Sequence, residues 1–203
     1  LDKMNYLHQF LPWRIQPMRE NMVVAGRAMT VLEADALETV SEGQNPIMRQ
    51  SFGLMLEALD DLKKNQLYIC TGSSPTYALV GELMCTRMKI LGAAGAVVNG
   101  FHRDTNGILD LDFPCFSYGR YAQDQGPRGK VIDYRVPIDM EGVKINPGDI
   151  VFGDLDGVLV IPKEIEEEVI VRAVEKATGE KMVAEAIKNG MAAKASFDKY
   201  GIM

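Results

Sequence analysis

In "GAVVNGFHRDTNG", Gly95 to Gly107, an apolar run of Ala96, Val97 and Val98 stops at Asn99-Gly100, and Arg103 and Asp104 follow at once. A short apolar run rich in β-branched residues and bounded by glycines reads as a buried strand. A cation beside an anion then marks the point where that strand surfaces. An adjacent Arg-Asp also reads as an ordinary surface ion pair, so its meaning depends on what the chain brings next to it.

The preceding segment, "SSPTYALVGELMCTRMKILG", ends at Gly92 and offers two helix starts, Ser74-Pro75 and Gly81. Gly81 is the better start, because Tyr77 to Val80 finish a short extended piece and Glu82 then falls in the first turn. Gly92 ends the helix as a C′ residue. The result is a strand–loop–helix–strand unit. The N–H groups of Leu83 and Met84 lie in the first turn, where they have no partner within the helix. With the helix dipole they make a place for a carboxylate or phosphate, and Gly81 adds no side chain to block its approach. Arg103 is positioned to add a bidentate hold on the same anion. Asp104 is then placed to ligate a hard cation such as Mg²⁺, which takes one or two carboxylates and keeps several waters. Glu82 is placed to hold one of those waters. Such an assembly suits a 2-oxo acid. Cleavage beyond C3 leaves the enolate of pyruvate, whose charge a divalent ion stabilises. Retro-aldol cleavage and β-decarboxylation share that enolate.

The rest of the composition narrows the alternatives. The 203 residues suffice for one domain with a real core, and their net charge is −6. No Lys/Arg run exceeds two, so no nucleic-acid partner is expected. No apolar run approaches the roughly 20 residues of a membrane-spanning helix, so no membrane partner is expected either. The chain opens at Leu1 without an initiator Met, which reads as a trimmed start. Cys70, Cys85 and Cys115 are odd in number and sit in apolar surroundings, which suits reduced core residues of a cytoplasmic protein. Only His8 and His102 are present, which excludes a histidine-rich metal site and argues against a Ser-His-Asp triad. His102 itself reads as an accessible loop residue. "GDLDG" (Gly153 to Gly157) lacks the later ligands of a calcium loop and reads as a β-turn, and "QDQGPRGK" reads as a loop without Walker spacing.

Working outward, Leu1 to Leu11 reads as the tail of an amphipathic helix, with Met4, Leu7, Phe10 and Leu11 at helical spacing. Met22 to Ala34 reads as a strand, with Gly26 a bulge or a close approach. Asn45 caps a helix with Pro46 at its first position, running to about Leu62. "QLYICTG", "FPCFSYG" and "GKVIDYRVPI" read as strands, and Val143 to Pro162 as hairpin material with turns at Asn146-Pro147-Gly148 and Asp154 to Gly157. Lys163 to about Asn189 reads as a long amphipathic helix that Gly179 breaks or bends. The whole is read as one α/β domain spanning residues 1–203.

"GELM" (Gly81 to Met84) and "GAAGAVVNGFHRD" (Gly92 to Asp104) resemble the RraA-like family, which contains divalent-metal-dependent 4-hydroxy-4-methyl-2-oxoglutarate aldolases and the RNase E inhibitor RraA. The aldolases carry an acidic residue, twenty intervening residues, then Arg-Asp. Glu82, Leu83 to His102, and Arg103-Asp104 fit that spacing. Val136 to Glu164 and Ala25 to Val31 also look like the family. The resemblance implies a three-layer ββα sandwich of the swivelling-domain type and a shortened N-terminal helix. It implies that Arg103 binds the substrate carboxylate, that Asp104 binds Mg²⁺ or Mn²⁺, and that Glu82 orients metal-bound water. It further implies that Gly81, Glu82, Leu83 and Met84 line the pyruvyl end, in a homotrimer or hexamer of trimers. The alternative it carries is a non-catalytic regulator that binds RNase E or another protein. The chain departs from the family in Glu82, where Asp is familiar, in the bulk of Phe101 and His102 before Arg103, and in the long approach Ser41 to Pro46.

Overall fold

The structure, a computed structural model, describes residues 1–36 and 45–202; residues 41–44 of the Ser41 to Pro46 approach lie outside the described residues, as does Met203 of the tail. The strands are β1 (Gln16–Pro17), β2 (Val24–Asp35), β3 (Gln66–Thr71), β4 (Ala78–Val80), β5 (Gly95–Val98), β6 (Phe101–His102), β7 (Cys115–Ser117), β8 (Gly129–Tyr134), β9 (Ile138–Met140), β10 (Val143–Ile145), β11 (Ile150–Asp154) and β12 (Gly157–Ile161). The α-helices are α1 (Met55–Asp60), α2 (Glu82–Ile90), α3 (Thr105–Asp110), α4 (Glu166–Lys188) and α5 (Ala193–Tyr200). They fall into two compact units, Leu1–Lys163 and Glu164–Met203.

The first unit is built on an eight-stranded sheet in the order β1-β7-β5-β3-β2-β11-β12, with β8 added against β2. The run β2-β3-β5-β7 is parallel, and the flanking pairs are antiparallel. Side chains alternate between faces along each strand, and the inner strands are apolar on both. Tyr68 and Cys70 of β3 and Ala96 and Val98 of β5 face a core shared with Met55, Leu59, Cys85, Met88 and Ile108 from the three short helices. Leu67, Ile69 and Val97 face the other way, into a core with Ile138, Met140, Val143 and Ile145 of the antiparallel β9–β10 hairpin. Helices, sheet and hairpin thus form the three layers of an α/β, ββα sandwich. Gly26 is a close approach: a Cβ there would lie 2.6 Å from the carbonyl oxygen of Asn65.

Two expected helices take other forms. Only Asp2–Met4 make a turn at the N-terminus, ended by Asn5 at φ 64. Beyond it the chain is extended, with Leu11 N–H donating to Val158 O and Val160 N–H to Gln9 O, both at 2.8 Å. Pairing with β12, including Phe10 opposite Leu159, outweighs the weak helical pattern and nearly closes the sheet. Asn45 does cap a turn, its Oδ1 accepting from Ile47 N–H at 3.1 Å, but the turn is a 3₁₀ segment ending at Arg49. Phe52 and Gly53 at φ 62 and 60 break the helix. They put the chain against Val131 before α1 starts.

In the second unit α4 runs unbroken through Gly179. The glycine is there for a close contact instead of a bend, since a Cβ would collide with Ile202. No helix among the described residues is long and apolar enough to cross a membrane.

Candidate active site

The parallel pair β4–β6 positions the candidate residues. Val80 is in register with His102, and Arg103 N–H donates to Val80 O at 3.0 Å. Two parallel strands end on the same side, so Gly81 and Glu82 emerge beside Arg103 and Asp104. The twenty-residue interval in the sequence is the path through α2 and β5 that closes this register.

Gly81 caps α2 in an extended conformation, as the sequence indicates. Gly92 stops the helix at φ 75. There Ala93 N–H reaches Met88 O and Gly92 N–H reaches Lys89 O, each at 3.0 Å, the hydrogen-bond pattern of a Schellman cap. At the other end Asp104 sits in the left-handed region at φ 57, which Asp tolerates better than most residues. Its Oδ2 accepts from Glu82 N–H at 3.3 Å, and Arg103 Nε lies 3.8 Å away. A Cβ on Gly81 would come within 2.7 Å of that oxygen, so only glycine leaves Asp104 where it is.

Gly81, Leu83, Met84, Arg103 and Asp104 line one cavity of about 410 Å³. Glu82 turns to the other side of Asp104, into a second, more open cleft with Thr105, Asn106 and Arg120. Its carboxylate lies over Gly107, where a side chain would collide with it. Asp104 therefore forms the ridge between the two spaces, and Glu82 reaches it from the far side.

Two further residues are missed by motif reading. Asp124, within "QDQGPRGK", accepts from Arg103 Nη1 at 2.6 Å and lines the cavity. Its loop is tied to β4 by Ala78 N–H donating to Gln123 O at 2.9 Å. A lone Asp in a loop carries no periodicity or spacing, and only the tertiary fold shows its partner. Phe52, the left-handed residue above, lines the same cavity. His102 is buried rather than accessible, because β6 carries it inward. Its Nδ1 lies 2.6 Å from Ser117 Oγ. Burial, aided by the nearby charge of Arg120, moves its pKa below the usual range.

The three-layer fold and the α2–Arg103-Asp104 cavity define a class, and comparison with known proteins gives the same one. The chain belongs to the RraA-like family, described as Aldolase/RraA, which it matches over residues 1–160. It is 34% identical over 187 residues to a protein of Halalkalibacterium halodurans named "Putative 4-hydroxy-4-methyl-2-oxoglutarate aldolase", covering 91% of this chain and 82% of the relative. Among solved structures it is similar to Streptomyces coelicolor RraAS2, titled an unusual member of the RNase ES inhibitor RraA protein family. The TM-score is 0.76 at 21% identity, over 90% of this chain and 86% of the other. A protein from Pseudomonas syringae aligns with a TM-score of 0.84 at 24% identity, over 98% and 85%. At such identities the two structures support the fold alone.

Proposed function

We propose that the protein is a divalent-metal-dependent lyase that cleaves a 4-hydroxy-2-oxo acid of the 4-hydroxy-4-methyl-2-oxoglutarate type to pyruvate, with oxaloacetate decarboxylation as a parallel activity. The observation that carries this reading is the convergence of the α2 first turn, Arg103 and Asp104 on one cavity.

The residues divide the work by chemistry. Asp104 accepts the Glu82 N–H, so Leu83 and Met84 supply the first-turn donors for the C1 carboxylate, and Arg103 adds its charge. Asp104, with Glu82 beside it, suits a hard cation, Mg²⁺ or Mn²⁺, that keeps most of its waters. Among the described residues no group of three or more His, Cys, Asp or Glu gathers to hold a metal, so an all-protein cage does not fit. When bound, the ion supplies Lewis-acid stabilisation of enolate charge. In the retro-aldol step the C4 hydroxyl gives its proton to water, the C3–C4 bond breaks, and C4 leaves as the carbonyl carbon of the second product. The electron pair passes into the enolate, which takes a proton at C3 to become pyruvate. With oxaloacetate the same bond breaks to release carbon dioxide.

The test supplies oxaloacetate and 4-hydroxy-4-methyl-2-oxoglutarate with Mg²⁺ or Mn²⁺ and follows pyruvate. Release from either supports the lyase; none from both, with folded protein, removes it. The proposed partner is thus a small 2-oxo acid, the proposed assembly a homotrimer or hexamer, and the proposed compartment the cytoplasm. A second reading, a regulator that binds RNase E or another protein, is favoured by the net charge of −6, which suits a basic partner. Capture of a basic RNase E-type segment without lyase activity would support it.

A further inference from the structure

The chemistry above gives a place to one carboxylate of the substrate, and both proposed substrates carry two. In the cavity that holds Gly81 and Leu83, a second carboxylate finds no cation to itself. The guanidinium groups there belong to Arg103 and Arg87. Arg103 pairs with Asp124 at 2.6 Å, and Arg87 Nε donates to Asp60 Oδ1 at 2.8 Å. Much of the remaining wall is apolar, with Met55 and Leu59 buried in it. An ionised group set against such a wall without a partner is costly.

The cleft on the far side of Asp104 is different. It measures about 500 Å³, and Thr105, Asn106 and Arg120 face it together with Glu82 and Asp104. Arg120 is exposed. Of the three guanidinium groups that line the two spaces, it alone has no carboxylate partner among the described residues. Glu82 and Asp104 are the acids that the lyase reading gives to a divalent cation, whose charge offsets theirs. Arg120 is then the cation left for an incoming anion.

Backbone pairing fixes Arg120 in this place. His102 is in register with Val80 on one side and forms a parallel bridge with Arg120 on the other. His102 N–H donates to Gly119 O at 2.9 Å, and Tyr121 N–H donates to His102 O at 2.8 Å. Three chain segments therefore stand in one row. Gly81 and Glu82 follow the first, Arg103 and Asp104 follow the second, and Arg120 belongs to the third. Asp104 borders both spaces, so an acid lying across that one side chain reaches into each.

We propose that Arg120 holds the second carboxylate of a dicarboxylic 2-oxo acid that lies across Asp104, and so selects such acids over monocarboxylic ones. The inference rests on the lyase reading for the place of the first carboxylate. A planar guanidinium meets a carboxylate through two parallel N–H donors, and the Thr105 hydroxyl and Asn106 amide are neutral donors beside it. In the retro-aldol reaction the half of the substrate that carries this carboxylate leaves as a second 2-oxo acid, so Arg120 holds that product as well.

The test is calorimetric binding to the intact protein, in the presence of MgCl₂, of 2-oxoglutarate and 2-oxopentanoate. Both have five carbons, and the second ends in a methyl group instead of a carboxylate. Neither carries a C4 hydroxyl or a carboxylate on C3, so binding is read without cleavage. The wild type is expected to bind 2-oxoglutarate about tenfold more tightly, the scale of one hydrogen bond between charged groups. Arg120→Gln should remove that preference by weakening 2-oxoglutarate alone, and Arg120→Lys, which keeps the charge, should restore part of it. No preference in the wild type, or a preference that survives Arg120→Gln, overturns the inference. The two readings fail differently. If the preference fails while both acids still weaken in Arg103→Ala, the hold on the first carboxylate stands and only the role of Arg120 is lost. Binding indifferent to Arg103→Ala, or no binding of either acid, removes the first anchor and the inference with it.

Discussion

The carboxylate of Asp104 accepts a hydrogen bond from the backbone N–H of Glu82 at 3.3 Å, across 22 positions of sequence. The β4–β6 register makes this contact, and the next amides of the α2 first turn have no partner within the helix. Asp104 is therefore both a cap for the helix and the boundary of the cavity, and its position depends on what surrounds that one oxygen.

Gly81→Ala tests that dependence. The added Cβ, 2.7 Å from Asp104 Oδ2, must push the carboxylate aside, while the extended backbone at this residue accepts alanine without strain. Pyruvate formation is expected to fall about 100-fold, the scale of a misplacement near 1 Å. Thermal unfolding should stay close to wild type. Undiminished turnover in a folded variant would show that Asp104 need not stay where Gly81 lets it sit.

Asp124→Asn keeps the shape of its loop but takes the negative charge from the Arg103 pair, whose side chains are about two-fifths exposed. At such exposure the ion pair contributes little to stability, and its value is orientation. KM for the 2-oxo acid is expected to rise about tenfold with a smaller change in kcat, the pattern of lost ground-state binding. A kcat loss with KM unchanged would instead assign Asp124 to the chemistry.

Much of this was legible in the sequence, for a physical reason. The inner strands are buried on both faces and read as plain apolar runs, and Gly81 and Gly92 punctuate α2 at both ends. The acidic–Arg-Asp interval is a register written as a distance. What escaped reading is what the tertiary fold decides. The N-terminal residues pair with β12 instead of coiling, Phe52 is forced left-handed by Val131, and Asp124 finds Arg103 only once β4 and its loop are joined.

Glu33 was equally invisible. It lies on β2, 1% exposed, with its Oε2 accepting from the Cys70 thiol at 3.6 Å. Its Oε1 has no partner among the described residues. Burial pushes its pKa up from 4.5 to about 7. A carboxyl that holds its proton more tightly when folded makes stability greatest below the unfolded value. That contribution is lost as pH rises from about 4.5 to about 7 and is absent above. The shift corresponds to roughly 3 kcal/mol at most. Urea denaturation of wild type and Glu33→Gln at pH 5 and pH 8 reads it directly. The variant is expected to lose less stability between the two pH values; equal losses would mean that Glu33 titrates the same way folded and unfolded.

Phe52 yields the sharpest test of the backbone. At an ordinary position alanine is more stabilising than glycine, because glycine has more freedom to lose on folding. At φ 62 the order should reverse, since a Cβ in the left-handed region costs about 1–2 kcal/mol that glycine avoids. Phe52→Gly and Phe52→Ala remove the same ring, so the difference between them isolates the backbone. Urea denaturation is expected to find Phe52→Gly the more stable by about 1 kcal/mol. If alanine proves the more stable, Val131 does not hold residue 52 in the left-handed region, and the ring has no fixed seat on the cavity.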